Sequence, residues 1–568
     1  MFDQLPSNAL VALDWGKEKY EPYFQNLLAR ELTAATVEQW LLDYTKLSKL
    51  VWEVSSRLRT ATSVNTEDAE SAARLGQFLD NVFPLANVYQ DKLDRRLLQS
   101  GLKPPAGLAV PLRSARADVE LFREKNVPLL AEEQKFNLEY EKIIGAQTVE
   151  WEGQEATLYR LRPILEETDR GRRETAWRLL SQRQLADRAA LNELWGKYLN
   201  LRGQIAANAA MPDYRAYRWK SLHRFDYTPE DGANFRQAIE TVIVPLAARL
   251  YAKRSARLGI AAVRPWDTAV DPQGRAPLRP YTTLEQLESV TQGIFARIDP
   301  QLGQYFQIMR DQKLLDLDNR KGKGPGGFCT YFPLAEQPFI FMNAVRMHTD
   351  VETLLHEGGH CFHAFAMRPL PYSYQYAVPM EFAEVASTTM ELVAAPYLAK
   401  RNGGFYSDAD TARAQITRLE KFITFWPYLA VVDGFQNWAY THPQAATDPA
   451  NCDAQWGELW DRFMVGIDYS GFEAVKVTGW QRKEHIFTDP FYYIEYGLAE
   501  LGALQIWANY LRDPADAIQR YQQALALGGT VTMPELFAAA GAKFAFDAAT
   551  LGELAALIEK TIIELDPA

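Results

Sequence analysis

The chain has 568 residues, of which 47% are hydrophobic and 23% charged, an ordinary balance for a soluble globular protein long enough for two or more domains. A formal net charge of -11 leaves no basic surface for phosphate backbones and excludes nucleic acid as the expected partner. No basic segment followed by an apolar one opens the chain, and no uninterrupted apolar run reaches about 18 residues, so neither a signal peptide nor a membrane span is expected.

In chain order the signals are mostly helical. From Thr33, read as a cap, to Arg59 the residues Val37, Trp40, Leu41, Tyr44, Leu47, Leu50, Val51 and Val54 recur at three- and four-residue spacing. Comparable patterns run from Asp68 to Leu98, with a kink or break at Pro84, from Ala131 to Ile144, and from Arg172 to Ala207. Between the last two, Thr148 to Tyr159 reads as two short strands around a turn that contains Gly153. A domain boundary is expected near Asn208 to Ser221, dividing the chain into 1–207 and 208–568. A Pro- and Gly-rich loop follows from Ala262 to Pro280. The basic stretch from Arg320 to Gly327 lacks the order of a phosphate-binding loop and reads as a loop at the rim of a cleft. Pro338-Phe339-Ile340-Phe341-Met342-Asn343 is apolar and short, hence a strand; as an edge strand it could pair with an extended peptide, and an ordinary buried strand fits the residues equally well. Helical signals resume and continue to Leu565.

Chemistry concentrates in His356-Glu357-Gly358-Gly359-His360. On a helix, residues four apart share a face, so both imidazoles can hold one Zn²⁺ while Glu357 stands beside it as a base. Val351, Leu354, Leu355, Phe362 and Phe365 supply the apolar back of such a helix. The adjacent glycines each cost roughly 1 kcal/mol there. They imply that something approaches the backbone, expected to be the substrate strand and the helix of the next motif. A third ligand must come from elsewhere. Position 363 holds His and position 366 holds Ala, which excludes the metzincin pattern. His363 itself lies roughly 10 Å along the axis from His356, too far to share one tetrahedral ion. Glu381, Glu384, Thr388 and Glu391 form a polar stripe on an otherwise apolar helix, where unpaired carboxylates would be costly and a metal would explain them. Cys329, Cys361 and Cys452 are odd in number and form no C-x-x-C pair, which suits a reducing cytoplasm; Cys361 reads as a buried thiol and not a ligand.

With Glu384-Val385-Ala386-Ser387 downstream, Phe339 to Asn343 upstream, and His485-Ile486-Phe487 and Pro490 to Tyr496 beyond, the chain resembles the thimet-oligopeptidase family, specifically its bacterial oligoendopeptidase F branch. The likeness is clearest from Gly326 to Gly502. It implies that His356, His360 and Glu384 bind one Zn²⁺ per chain and that Glu357 is the general base. It further implies that His485 and a tyrosine bond the scissile carbonyl or the developing oxyanion: Tyr496 foremost, with Tyr493 as its companion. Tyr492 and the residues Phe339, Ile340, Phe341 and Met342 are the expected substrate contacts. Glu391 is placed to orient a ligand histidine.

The implied fold is mainly α, a gluzincin-type body of two lobes enclosing a deep channel that admits short unstructured peptides, with a small β element near the site. A metallocarboxypeptidase would share the zinc chemistry but would need a cationic group for the substrate C-terminus. A peptide-binding scaffold with structural zinc would have no use for Glu357. Tyr372, Tyr374 and Tyr376 suit either channel walls or packing between lobes.

Overall fold

The computed structural model describes residues 1–320, 322–324 and 326–566. Helices dominate it. Helix α1 (Val37–Val64) buries Trp40, Leu41, Tyr44, Leu47, Leu50 and Val54 at helical spacing. It begins after Thr36, not Thr33, and the Thr36 hydroxyl donates to the Glu31 carbonyl at 2.9 Å in place of capping the helix. The break expected at Pro84 is a widened π turn over Phe78–Val82, just ahead of the proline whose missing N–H removes a rung of the ladder. Strands β1 (Thr148–Trp151) and β2 (Gln154–Thr157) form an antiparallel hairpin, with Glu152 and Gly153 at φ of 52° and 78° as a two-residue I′ turn requires. The helix read from 172 to 207 is two, Arg170–Ala186 and α2 (Arg188–Asn208), divided at Asp187.

Strands β3 (Leu315–Asp318), β4 (Phe328–Phe332) and β5 (Gln337–Ala344) form one sheet in the order β3-β5-β4. Of the edge and buried readings of Phe339 to Met342, this is the buried one, and the edge pairing with a peptide is lost. β5 is central, parallel to β3 and antiparallel to β4, so its neighbours already take the main-chain bonds that an edge strand would offer a peptide. Ile340, Phe341 and Met342 are buried in the core. The edge on that side is β4, whose residues are half-buried apart from the buried Phe332. The stretch from Arg320 to Gly327 is not a free cationic loop where it is described: Lys323 is buried and bonds Asp316 and the carbonyls of Asp318 and Met342, and Arg320 bonds Asp316. Its Lys321 and Pro325 lie outside the described residues.

Helices α3 (His348–Ala366), α4 (Met380–Val393), α5 (Asp408–Thr441) and α6 (Tyr493–Arg512) make the frame of the site. The turn from β5 into α3 is fixed by Asp350, which accepts from the main-chain N–H of Val345 at 2.9 Å and of Met347 at 2.8 Å. Three large apolar clusters hold the molecule. One gathers residues from Phe2 to Leu108 with Tyr372; a second joins α2 to α5 and α6; a third surrounds α3 and α4. α2, on the N-terminal side of the division expected near residue 207, thus shares its core with the C-terminal helices. Tyr374 stacks on Tyr44 at 5.1 Å and donates to Asp94, so this tyrosine packs one part of the chain on another. Among the described residues no helix is long and apolar enough to cross a membrane.

Candidate active site

α3 and α4 meet at Gly359. A Cβ there would lie 2.5 Å from Ser387 Cα and 2.6 Å from the Ala386 carbonyl, both main-chain atoms of α4 that cannot swing aside. The expectation for the paired glycines therefore holds for Gly359 and the stripe helix. It fails for Gly358, whose added Cβ would meet the ring of Phe295 at 2.5 Å and not a substrate strand. Gly359→Ala is expected to lower stability by about 1–3 kcal/mol through overpacking. Gly196→Ala in α2, where an added Cβ meets nothing within 4 Å, should leave stability unchanged or raise it. Thermal melts of the two variants check the pair.

That close approach brings the donors together. One nitrogen each of His356 and His360 and one oxygen of Glu384 lie within 4.8 Å of one another, the one such group among the described residues. His356 Nε2 is 3.2 Å and His360 Nε2 3.7 Å from the same Glu384 oxygen. His356 Nδ1 is 2.8 Å from Glu391 Oε1, and Arg418 of α5 lies 3.0 Å from the other Glu391 oxygen. With Nδ1–H donated to Glu391, the Nε2 lone pair faces the Glu384 carboxylate, an arrangement that calls for a cation or a proton between them. Electrostatics agree. Burial works against charge on His356, but Glu384 and Glu391 outweigh it and hold the imidazole well above its usual range. Burial likewise raises Glu384, yet His360, His356 and the Tyr492 hydroxyl bring it down to about 2. His360 is held neutral, its pKa lowered by burial to about 4. Two imidazoles and one carboxylate could hold a metal ion and leave it an open position.

Glu357 points inward beside this set. It is 5% exposed, its Oε2 has no hydrogen-bond partner, and burial raises its pKa to about 7. Such a carboxylate is matched to taking and returning a proton near neutral pH. His485 Nε2 and the Tyr496 hydroxyl are 3.3 Å apart and hydrogen-bond each other. Tyr492 donates to Glu384 Oε1 at 2.7 Å, which makes it a partner of the ligand carboxylate. The Tyr493 hydroxyl accepts from the Lys483 ammonium and its ring packs on Phe425 and Tyr428. That ring also packs on those of His485 and Tyr496, at 5.3 and 5.6 Å, so Tyr493 lies in the same aromatic cluster as Tyr496.

His363 is 3% exposed, lies against Phe382 and stands outside the donor set, as its distance along the helix required. Cys361 is buried, with its sulfur 3.5 Å from that of Cys329 on β4; both thiols are free. Arg418 and the link from Tyr492 to Glu384 were not visible in the sequence. Arg418 comes from a different helix, and no spacing rule connects it to Glu391.

The family model of peptidase family M3 matches residues 164–556. Among solved structures, PZ peptidase A with an inhibitor is similar at a TM-score of 0.91 and 26% identity, covering 100% of this chain and 99% of that one. A chain assigned to oligoendopeptidase F gives the same TM-score, identity and coverage. Another so assigned, from Bacillus anthracis, has a TM-score of 0.86 and 24% identity over 97% of this chain and 96% of its own, a likeness of fold. Comparison with curated proteins finds no match.

Proposed function

The chain belongs to peptidase family M3 and is a metallopeptidase, and on that premise we propose that it is a zinc-dependent oligopeptidase that hydrolyses internal bonds of short, unstructured peptides. The observation that carries this reading is Glu357, a buried carboxylate with an unpartnered oxygen beside three converging donors. His356, His360 and Glu384 would hold the ion. The chemistry Zn²⁺ supplies when bound is polarisation of a carbonyl and acidification of water.

The remaining work falls to the protein. Glu357 accepts the proton of the attacking water and delivers it to the leaving amine. His485 and Tyr496 donate toward the oxygen on which negative charge develops, from positions fixed before reaction. Glu391, held by Arg418, keeps the His356 ring in the tautomer that presents Nε2. The outer edge of β4 offers main-chain groups to an extended substrate, which gives affinity without demanding a particular sequence.

A digest of C-terminally amidated peptides followed by mass spectrometry tests the reading. Internal cuts are expected, to be lost on chelation and regained with Zn²⁺. Stepwise loss of C-terminal residues that amidation blocks would instead mark a carboxypeptidase.

A further inference from the structure

Three arginines from one stretch of chain grip a single short segment. Arg202 of α2 donates to the carbonyl of Phe487, Arg218 to that of Pro490 at 3.4 Å, and Arg224 to that of Phe491 at 2.7 Å. This segment follows His485 directly and leads into Tyr492 and Tyr496. At its end Phe491 has φ of 68°, a left-handed conformation that bulky residues rarely adopt. Both main-chain groups of Phe491 are taken by buried side chains, since its N–H donates to Gln436 of α5 and its carbonyl accepts from Arg224. The turn held there sets where α6 begins and aims Tyr492 at Glu384.

Arg224 differs from the other two in what else it touches. It pairs with Glu495, which is buried on α6 one residue before Tyr496. It also lies 3.4 Å from Glu381, which sits on α4 one turn before Glu384 and accepts the Tyr227 hydroxyl at 2.6 Å. One guanidinium therefore bridges the helix that carries Glu384 and the segment that carries the tyrosines, without belonging to the donor set. Its Nη2 donates both to the Phe491 carbonyl and to Glu495, while Nε faces Glu381 as an ion pair; a lysine ammonium, a single point charge, cannot stand against both carboxylates and the carbonyl at once.

We propose that Arg224 is a positioning residue that holds the start of α6 against α4 and so fixes where Tyr496, the oxyanion donor on α6, stands. The inference rests on the peptidase reading above. Displacing that donor weakens an interaction made in the transition state and leaves ground-state binding alone.

The test uses the full-length protein loaded with Zn²⁺, as wild type, Arg224→Lys and Gln436→Leu. Gln436→Leu removes the acceptor of the Phe491 N–H and so loosens the same turn at nearly conserved volume and without disturbing buried charge, which keeps the test open should the arginine variant fold poorly. For each, kcat and KM on a peptide, metal content, and affinity for a phosphinic peptide that mimics the tetrahedral oxyanion are measured. Both variants should lose about 10²-fold in kcat with KM little changed. Affinity for the phosphinic peptide should fall by the same factor as kcat/KM, while metal content and affinity for a product peptide hold. Variants with wild-type kcat and phosphinic affinity would overturn the inference, as would losses that merely track metal content. A wild type that cleaves nothing would sink the peptidase reading, and this inference with it; a wild type that cleaves while both variants match it overturns this inference alone.

Discussion

Glu357→Gln is expected to lower kcat for peptide hydrolysis by about 10²–10⁴-fold, with bound metal and melting temperature unchanged or the latter raised. The amide has nearly the shape of the carboxylate but cannot take a proton from water. Its effect separates from folding because the carboxylate is a burden to the fold: Glu357 is 5% exposed, with an oxygen that no donor reaches. Removing charge from such a site relieves desolvation, so any loss of rate is loss of chemistry. Stopped-flow or discontinuous assays on one peptide, with metal analysis of the same samples, check it. Near wild-type turnover would mean that another group activates water.

Glu384→Ala is expected to lower metal affinity by more than about 100-fold, because it removes a ligand and not a group that orients one. Three contacts go with it. The Tyr492 hydroxyl loses its acceptor, and the nitrogens of His356 and His360 lose the oxygen 3.2 Å and 3.7 Å away on which they converge. Glu391→Gln supplies the graded comparison. It leaves all three donors but weakens the hold on His356 Nδ1, and should cost roughly 10- to 100-fold in affinity. Competition against a chromogenic chelator ranks the three proteins. Equal affinity of Glu384→Ala and wild type would remove Glu384 from the ligand set.

The legible parts of this molecule were those fixed by short-range geometry. His356 and His360 had to share a face because a helix turns 100° per residue, and Glu357 had to flank them. The apolar periodicity of Val37 to Val54 gave a helix for the same reason, and the turn at Glu152-Gly153 followed from its residue types. Long-range partners were less accessible. The Glu381 to Glu391 stripe declared itself polar, but only packing at Gly359 decides which carboxylate faces the imidazoles, and the choice of Glu384 came from family resemblance.

Where periodicity was silent, the residues left alternatives open. An apolar run of six residues fits a central strand as well as an edge strand, and only the pairing of β3 and β4 on either side of β5 distinguishes them. Tyr492, Tyr493 and Tyr496 were equivalent as letters. In the fold their hydroxyls part, that of Tyr492 to Glu384, of Tyr496 to His485 and of Tyr493 to Lys483, although the rings of Tyr493 and Tyr496 both pack on His485. Arg224 and Arg418 carried no signal at all, since a buried arginine's meaning lies in the carboxylates and carbonyls it meets across the fold.

Anomalous diffraction at the zinc absorption edge, on crystals of protein grown with Zn²⁺, tests the central claim most directly. A single strong peak is predicted between His356 Nε2, His360 Nε2 and the Glu384 carboxylate, at about 2.0–2.2 Å from each and with the Glu357 carboxylate beside it but unbound. A peak at another cluster, or one coordinated by Glu357 itself, would contradict it.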